Sequence, residues 1–261
     1  MPHLLSHPIS LKWNTFLNLS TYLIILNTMV LAGKLFLVEE DIDLQGIAAK
    51  LKGFKAEERL QDEDISLITE IKDLRLVGDS LYGTFIQDQL LDVYHRGERV
   101  RVPTTSEAPF FFVQQEQAPN KEQSGSRTVL TVMDKKARAN NIANQLSKIL
   151  FITTGKIIEV RIEPARFERF HEDNFEDTKV IFFDDVDIPN IKKLSLYGSG
   201  LGNTSAYVDN LKHGKIWYIV LKSKRHGLVV GVTRNGVVTI FSKATKDEFI
   251  QYVKDEIIDL I

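Results

Sequence analysis

The sequence predicts an α+β protein: mainly antiparallel sheets with packed helices, organised as two subdomains. Three observations carry that reading. Apolar residues alternate with period two over long stretches from Ile65 onwards, the chain turns at glycine-containing tight turns rather than through crossover helices, and one strongly periodic helix closes the sequence. With 261 residues the chain can bury a sizeable core, and 43% hydrophobic and 26% charged residues are ordinary for a globular protein. The complete lack of cysteine excludes disulfides, thiolate metal sites and a cysteine nucleophile, and fits a reducing, cytoplasmic setting.

Residues 1–28 read as an N-terminal extension or arm. Trp13 to Gly33 carries no charge and follows Lys12, in the manner of a signal or anchor, but Asn18, Ser20, Thr21, Asn27 and Thr28 interrupt the apolar run. A first acidic subdomain is expected over 29–117. It opens with a strand at Leu35–Val38, and the carboxylates Glu39, Glu40, Asp41 and Asp43 suit the start of a helix that Gly53 ends. A strand region follows from Ile65 to Val77, Gly78-Asp79-Ser80 turns it, and Leu81–Ile86, Leu90–His95, Val100–Val102 and Phe110–Val113 continue as a meander. Pro103 and Pro109 are expected to limit its continuous strands.

A linker loop is expected over 118–127, and a second subdomain over 128–261. It begins with a strand at Thr128–Met133 and a helix from Asp134 to Leu150, followed by a strand within Lys156–Ile162. Pro164 suits the first turn of a helix that puts Phe167 and Phe170 on one side. Val180–Phe183 reads as a buried strand and Ile191–Leu196 as a short helix. Strands are expected at Ile216–Leu221, Leu228–Thr233 and Val237–Phe241, the last two joined at Asn235-Gly236. Thr245 and Glu248 have the spacing of a capping box, ahead of Phe249, Val253 and Ile257 on one helix face.

From Asn210 to Lys246 the chain has no acidic residue and eight basic ones, although the formal net charge is −2. Such segregation attracts polyanions. Lys212, Lys215, Lys222, Lys224, Arg225 and Arg234 are therefore the candidate nucleic-acid contacts of this segment, with Trp217 and Tyr218 between Lys215 and Lys222 able to stack a base or to cover the core. Lys135, Lys136 and Arg138, at the start of the Asp134 helix, form a second basic group that would join the first in one groove if the helix lay beside the C-terminal sheet. DNA and RNA are equally compatible with these features, and no cofactor and no membrane partner are expected.

Other motifs say less. Gly198, Gly200 and Gly202 resemble a phosphate loop, but the strand and helix of a βαβ unit are missing around them. Asp184, Asp185 and Asp187, with Glu159 and Glu163, suggest magnesium and a nuclease as the enzyme alternative. The Glu159-Val160-Arg161 element, however, places arginine where a proton-transferring lysine would be wanted. A scaffold meeting an acidic partner through the basic strip is the third reading.

The stretch Leu76-Val77-Gly78-Asp79-Ser80-Leu81-Tyr82-Gly83-Thr84-Phe85, the Phe110–Phe112 strand and the order of the later elements resemble the archaeal Argonaute-accessory proteins. These are similar to the N, L1 and L2 region of a long prokaryotic Argonaute supplied as a separate chain. Over Met29 to Ile261 the resemblance implies a non-catalytic subunit that forms a heterodimer with a MID–PIWI Argonaute and helps to hold a guide–target duplex. It assigns no individual functional residue.

Overall fold

The computed structural model describes residues 30–60, 65–116 and 126–261, so the expected N-terminal arm and most of the expected linker loop lie outside the described residues. The class is α+β. Twelve strands form one sheet in the order β2-β3-β4-β5-β6-β1-β12-β11-β10-β8-β9, every pairing is antiparallel, and β7 pairs with β1 beyond the end of β12. The strands are β1 (Leu31–Val38), β2 (Lys55–Leu60), β3 (Ile65–Val77), β4 (Ser80–His95), β5 (Glu98–Glu116), β6 (Ser126–Val132), β7 (Ile157–Glu159), β8 (Val180–Asp184), β9 (Leu194–Tyr197), β10 (Lys215–Lys222), β11 (Val229–Thr233) and β12 (Val237–Ile240). The helices are α1 (Leu44–Leu51), α2 (Lys136–Phe151), α3 (Pro164–Asp173), α4 (Ser205–Leu211) and α5 (Lys246–Tyr252). No helix among the described residues is long and apolar enough to cross a membrane. β5 and β6, on either side of the expected linker, are paired neighbours, so the two expected subdomains share one sheet.

Because strand side chains alternate, the sheet builds a core on each face. On the first face, Leu35, Phe111, Val113 and Val129 join Ile181, Phe183, Ile219, Leu221, Val230, Val232, Val238 and Ile240 under the buried apolar residues of α3, α4 and α5. On the second, Phe36, Val38, Phe110, Phe112, Leu130 and Val132 pack under α1 and α2. α5 is held as its sequence dictates. Thr245 accepts from the Glu248 amide, Glu248 accepts from the Thr245 amide, and Phe249, Tyr252, Val253 and Ile257 are completely buried.

Two expectations are corrected, and one strand is added to them. The strand candidates on either side of Pro103 and Pro109 are one 19-residue strand, β5. Pro109 turns its carbonyl away from β4 to accept from Met133, and Pro103, six residues earlier, has the same orientation. Neither proline therefore removes a donor from the β4 ladder. Ile191–Leu196 does not form a helix. Asn190 turns at φ +66°, after which Leu194 and Leu196 pack inward and Ser195 and Tyr197 point out, as period two requires of β9. β2 was not anticipated, because Lys-Ala-Glu-Glu-Arg-Leu has almost no apolar content; it is the exposed edge of the sheet, where charge suits the open ladder.

Candidate nucleic-acid interface

The nine basic candidates do not form one surface. β10 and β11 run antiparallel, so Lys215 and Arg234 sit at one end of the pair and Lys222, Lys224 and Arg225 at the other, about 20 Å away at ~3.3 Å per residue. Carboxylates from outside the acid-free stretch neutralise most of them. Lys212 pairs with Asp209 at 2.9 Å, Lys215 with Asp185 at 3.5 Å, Lys224 with Glu176 at 3.7 Å and Arg225 with Asp255 at 3.4 Å. Arg234 is largely buried, bridging Asp184 at 2.9 Å and the Ile216 carbonyl at 3.1 Å, which makes it a structural tie between β8 and β10. Lys222 is exposed and has no ion-pair partner among the described residues, as is true of Lys243.

The second basic group is on α2, over β1 and β6. Arg138 is tied to Asp134 at 3.0 Å, and Lys135 and Lys136 are exposed. Beneath them lies a feature that sequence reasoning missed: Lys34, in the middle of β1, is completely buried. Its ammonium donates to Asn140 at 2.6 Å and to Glu159 at 2.5 Å. Burial pulls the Lys34 pKa below the ordinary lysine value, opposed by the hydrogen bond to Glu159. The same hydrogen bond holds the Glu159 carboxyl below its usual range. Glu159→Ala should cost about 2 kcal/mol in urea unfolding, less than a fully buried broken pair because the Glu159 side chain is 46% exposed. In a Lys34→Met background the same substitution should cost little. Equal losses in both backgrounds would show that the pair is not coupled.

The remaining acidic candidates are dispersed. Asp184 is bound to Arg234, Asp185 to Lys215 and Asp187 to His213 at 2.9 Å. Among the described residues no group of three or more histidine, aspartate or glutamate side chains is arranged to hold a metal ion.

What the fold does assemble is an aromatic surface. Ala32, Thr239, Gly231, Val220, Val180 and Tyr197 are successive register partners across β1, β12, β11, β10, β8 and β9, so they share a face with Lys34 and with the second core. α1 and α2 contribute their buried apolar residues to that core, which includes none from β8–β12. The part over which none of the described helices lies carries Phe182, Tyr197, Tyr218 and Phe241, with Trp217 alongside. Phe182 lies at the centre, with ring centroids 5.7 Å from Tyr197, 5.7 Å from Trp217 and 5.3 Å from Tyr218. Tyr197 is 69% and Phe241 48% exposed.

Local chemistry explains the array. Trp217 occupies the irregularity in β10 where pairing to β8 shifts between Ile216 and Tyr218, and such a bulge re-aims a side chain. Gly231 makes room for the rings: a Cβ there would stand 2.7 Å from the Tyr218 hydroxyl and 2.8 Å from the Phe241 ring. Lys193 caps the Trp217 ring at 4.7 Å, a cation–π contact, and Lys222 projects from the same face of β10 as Tyr218. The surface is thus aromatic and edged with cations. No protein-family model matches the chain, and no curated protein matches it either.

Proposed function

We propose that this chain is a non-catalytic nucleic-acid-binding subunit that holds an unpaired strand against the aromatic face of β8–β12. The carrying observation is the Tyr197–Phe182–Tyr218 array on a sheet face over which none of the described helices lies, with Lys193 and Lys222 at its margin. Aromatic faces engage bases only where these are unstacked, each such contact contributing about 1–3 kcal/mol, so the favoured ligand is single-stranded. The cations attract the backbone without reading sequence. The resemblance to Argonaute-accessory proteins adds a partner to this reading: a chain with MID and PIWI domains, forming a heterodimer in which the face takes guide or target nucleotides lying outside the paired duplex.

The test is the affinity of the full chain for single-stranded DNA, single-stranded RNA and duplex at several salt concentrations, with and without such a partner and with and without magnesium. Single strands should bind more tightly than duplex. With Lys193 and Lys222 as the unneutralised contacts, log K should fall against log salt with a slope of about −1.4. Preference for duplex, or no binding in any condition, overturns the proposal. Magnesium-dependent cleavage lost on Asp185→Ala would replace it with a nuclease.

A further inference from the structure

The β4–β5 hairpin outruns its neighbours. β3 pairs with β4 only as far as Gln87, and β6 meets β5 only from Phe110 onwards, so the pairs from Asp88–Thr105 to His95–Glu98 form a two-stranded ribbon. Its two faces differ. Leu91 faces Val102 and Val93 faces Val100 in direct register, on the side that carries Phe85 and Phe110 of the second core, and all four are between 39% and 52% exposed. Asp92, Tyr94, Arg99 and Arg101 occupy the other face, where Asp92 pairs with both arginines. We infer that the apolar face of this ribbon is the docking site of the N-terminal segment of the same chain, through Tyr22-Leu23-Ile24-Ile25-Leu26.

The patch is not an overhang of the core beneath α2. Gln87 and Gln89 on β4, with Thr104 and Ser106 on β5, form a polar belt between the two. Gln87 accepts from Gln145 of α2 at 3.2 Å, and the Ser106 and Thr104 hydroxyls donate to the Gln87 and Gln89 carbonyls. Beyond this belt apolar residues return as a pair on each strand of one face. A two-stranded ribbon without sheet neighbours is marginally stable in water and needs its apolar face packed. The exposure of Leu91, Val93, Val100 and Val102 shows that no described residue packs this one.

Size, sequence and reach select the occupant. Four side chains on two strands span roughly 10 Å by 13 Å, whereas a free partner needs about 800 Å² of its own surface to bind stably. A tethered segment does not, because its tether holds it at an effective concentration of about millimolar. Residues 1–29, which precede Val30, supply one. Trp13 to Gly33 carries no charge, and Tyr22–Leu26 is its longest run of large apolar residues. The tether also has the right length. Lys34, Val132 and Phe110 are successive register partners and β1 runs parallel to β5, so Val30 is level with Ser106, at the base of the ribbon. From there the centre of the patch is about 20 Å away, about five residues along β5 and two strands across. Tyr22–Leu26 stands four to eight residues ahead of Val30, a reach of about 13–26 Å at ~3.3 Å per extended residue.

The full chain has no cysteine, so Val100→Cys and Tyr94→Cys each provide a single thiol, the first in the patch and the second on the opposite face. Maleimide labelling rates are compared with those of the same proteins unfolded in urea. With the native segment, Val100→Cys should be protected at least about fivefold and Tyr94→Cys less than that. Adding Leu23→Asp and Ile24→Asp, neighbours of which one or the other must face the patch, should abolish the protection of Val100→Cys and leave Tyr94→Cys as it was. Protection of Val100→Cys below about fivefold with the native segment overturns the inference, and that measurement needs no segment variant. So does protection that survives the double substitution, or that disappears on dilution, which would assign the cover to a second copy of the chain. Vesicles of phosphatidylcholine and phosphatidylglycerol should leave the protection intact. Its loss on their addition, with the protein sedimenting alongside them, would make the segment a lipid anchor instead.

Discussion

The double substitution Tyr197→Ala, Phe241→Ala is expected to weaken single-strand binding at least about 30-fold, since each ring stacking on a base is worth about 1–3 kcal/mol. These two are the safest aromatic residues of the face to remove. Tyr197 is 69% and Phe241 48% exposed, and neither belongs to a buried cluster, so the melting temperature should change little. The residual salt dependence should keep its slope, because no cation has been removed. A slope that flattened with the lost affinity would mean that the rings act by positioning Lys193 or Lys222 rather than by stacking. Gly231→Val is the complementary change: its side chain would push on Tyr218 and Phe241 from below, so that binding suffers although every aromatic residue is still present. Unchanged binding in the double variant would remove the platform from the account.

Much of the fold was legible because local rules and tertiary packing agree. Thr245 and Glu248 cap α5 as their spacing requires, Pro164 opens α3, and Phe249, Val253 and Ile257 reach the core. The errors came where a local rule had an escape that depends on tertiary orientation. Pro103 and Pro109 stay inside β5 because their missing N–H groups face away from β4, a distinction of side that composition cannot express. The basic segment failed as a patch for a related reason. Sequence shows which charges are adjacent along the chain, whereas Asp184, Asp185, Asp209, Glu176 and Asp255 reach the lysines and arginines from elsewhere in the fold. The aromatic face is spread over residues 182, 197, 217, 218 and 241, and only strand register brings these together. One clue was present. Phe182 and Phe183 are consecutive in a strand and must face opposite sides, so a single core could not take both.

Acid is expected to destabilise the protein through His171, by about 2–3 kcal/mol between pH 7 and pH 4.5, in addition to any carboxylate effects. His171 lies in the last turn of α3, fully buried, with Nδ1 3.1 Å from the Tyr207 hydroxyl and Nε2 3.0 Å from the Thr178 hydroxyl. It therefore joins α3, α4 and the turn between α3 and β8. Burial lowers its pKa from 6.5 to about 4, and burial likewise pushes the Tyr207 hydroxyl up to about 12, aided by the nearby charges of Glu168 and Glu172. The folded protein thus keeps a neutral imidazole where the unfolded chain would bind a proton. The stabilisation is present in full above the unfolded value near 6.5 and is lost progressively as pH falls towards 4, because protons bind preferentially to the unfolded state in that window. The lowering of about 2.5 pH units corresponds to roughly 3 kcal/mol in total, at ~1.4 kcal/mol per unit. Urea unfolding of the wild type and of His171→Gln at both pH values isolates the term. The variant should be less stable at pH 7, where it loses part of the hydroxyl network, yet lose about 2–3 kcal/mol less than the wild type on acidification. Parallel losses in the two proteins would mean that His171 is already protonated in the fold, and that the Tyr207 and Thr178 hydroxyls both accept from it.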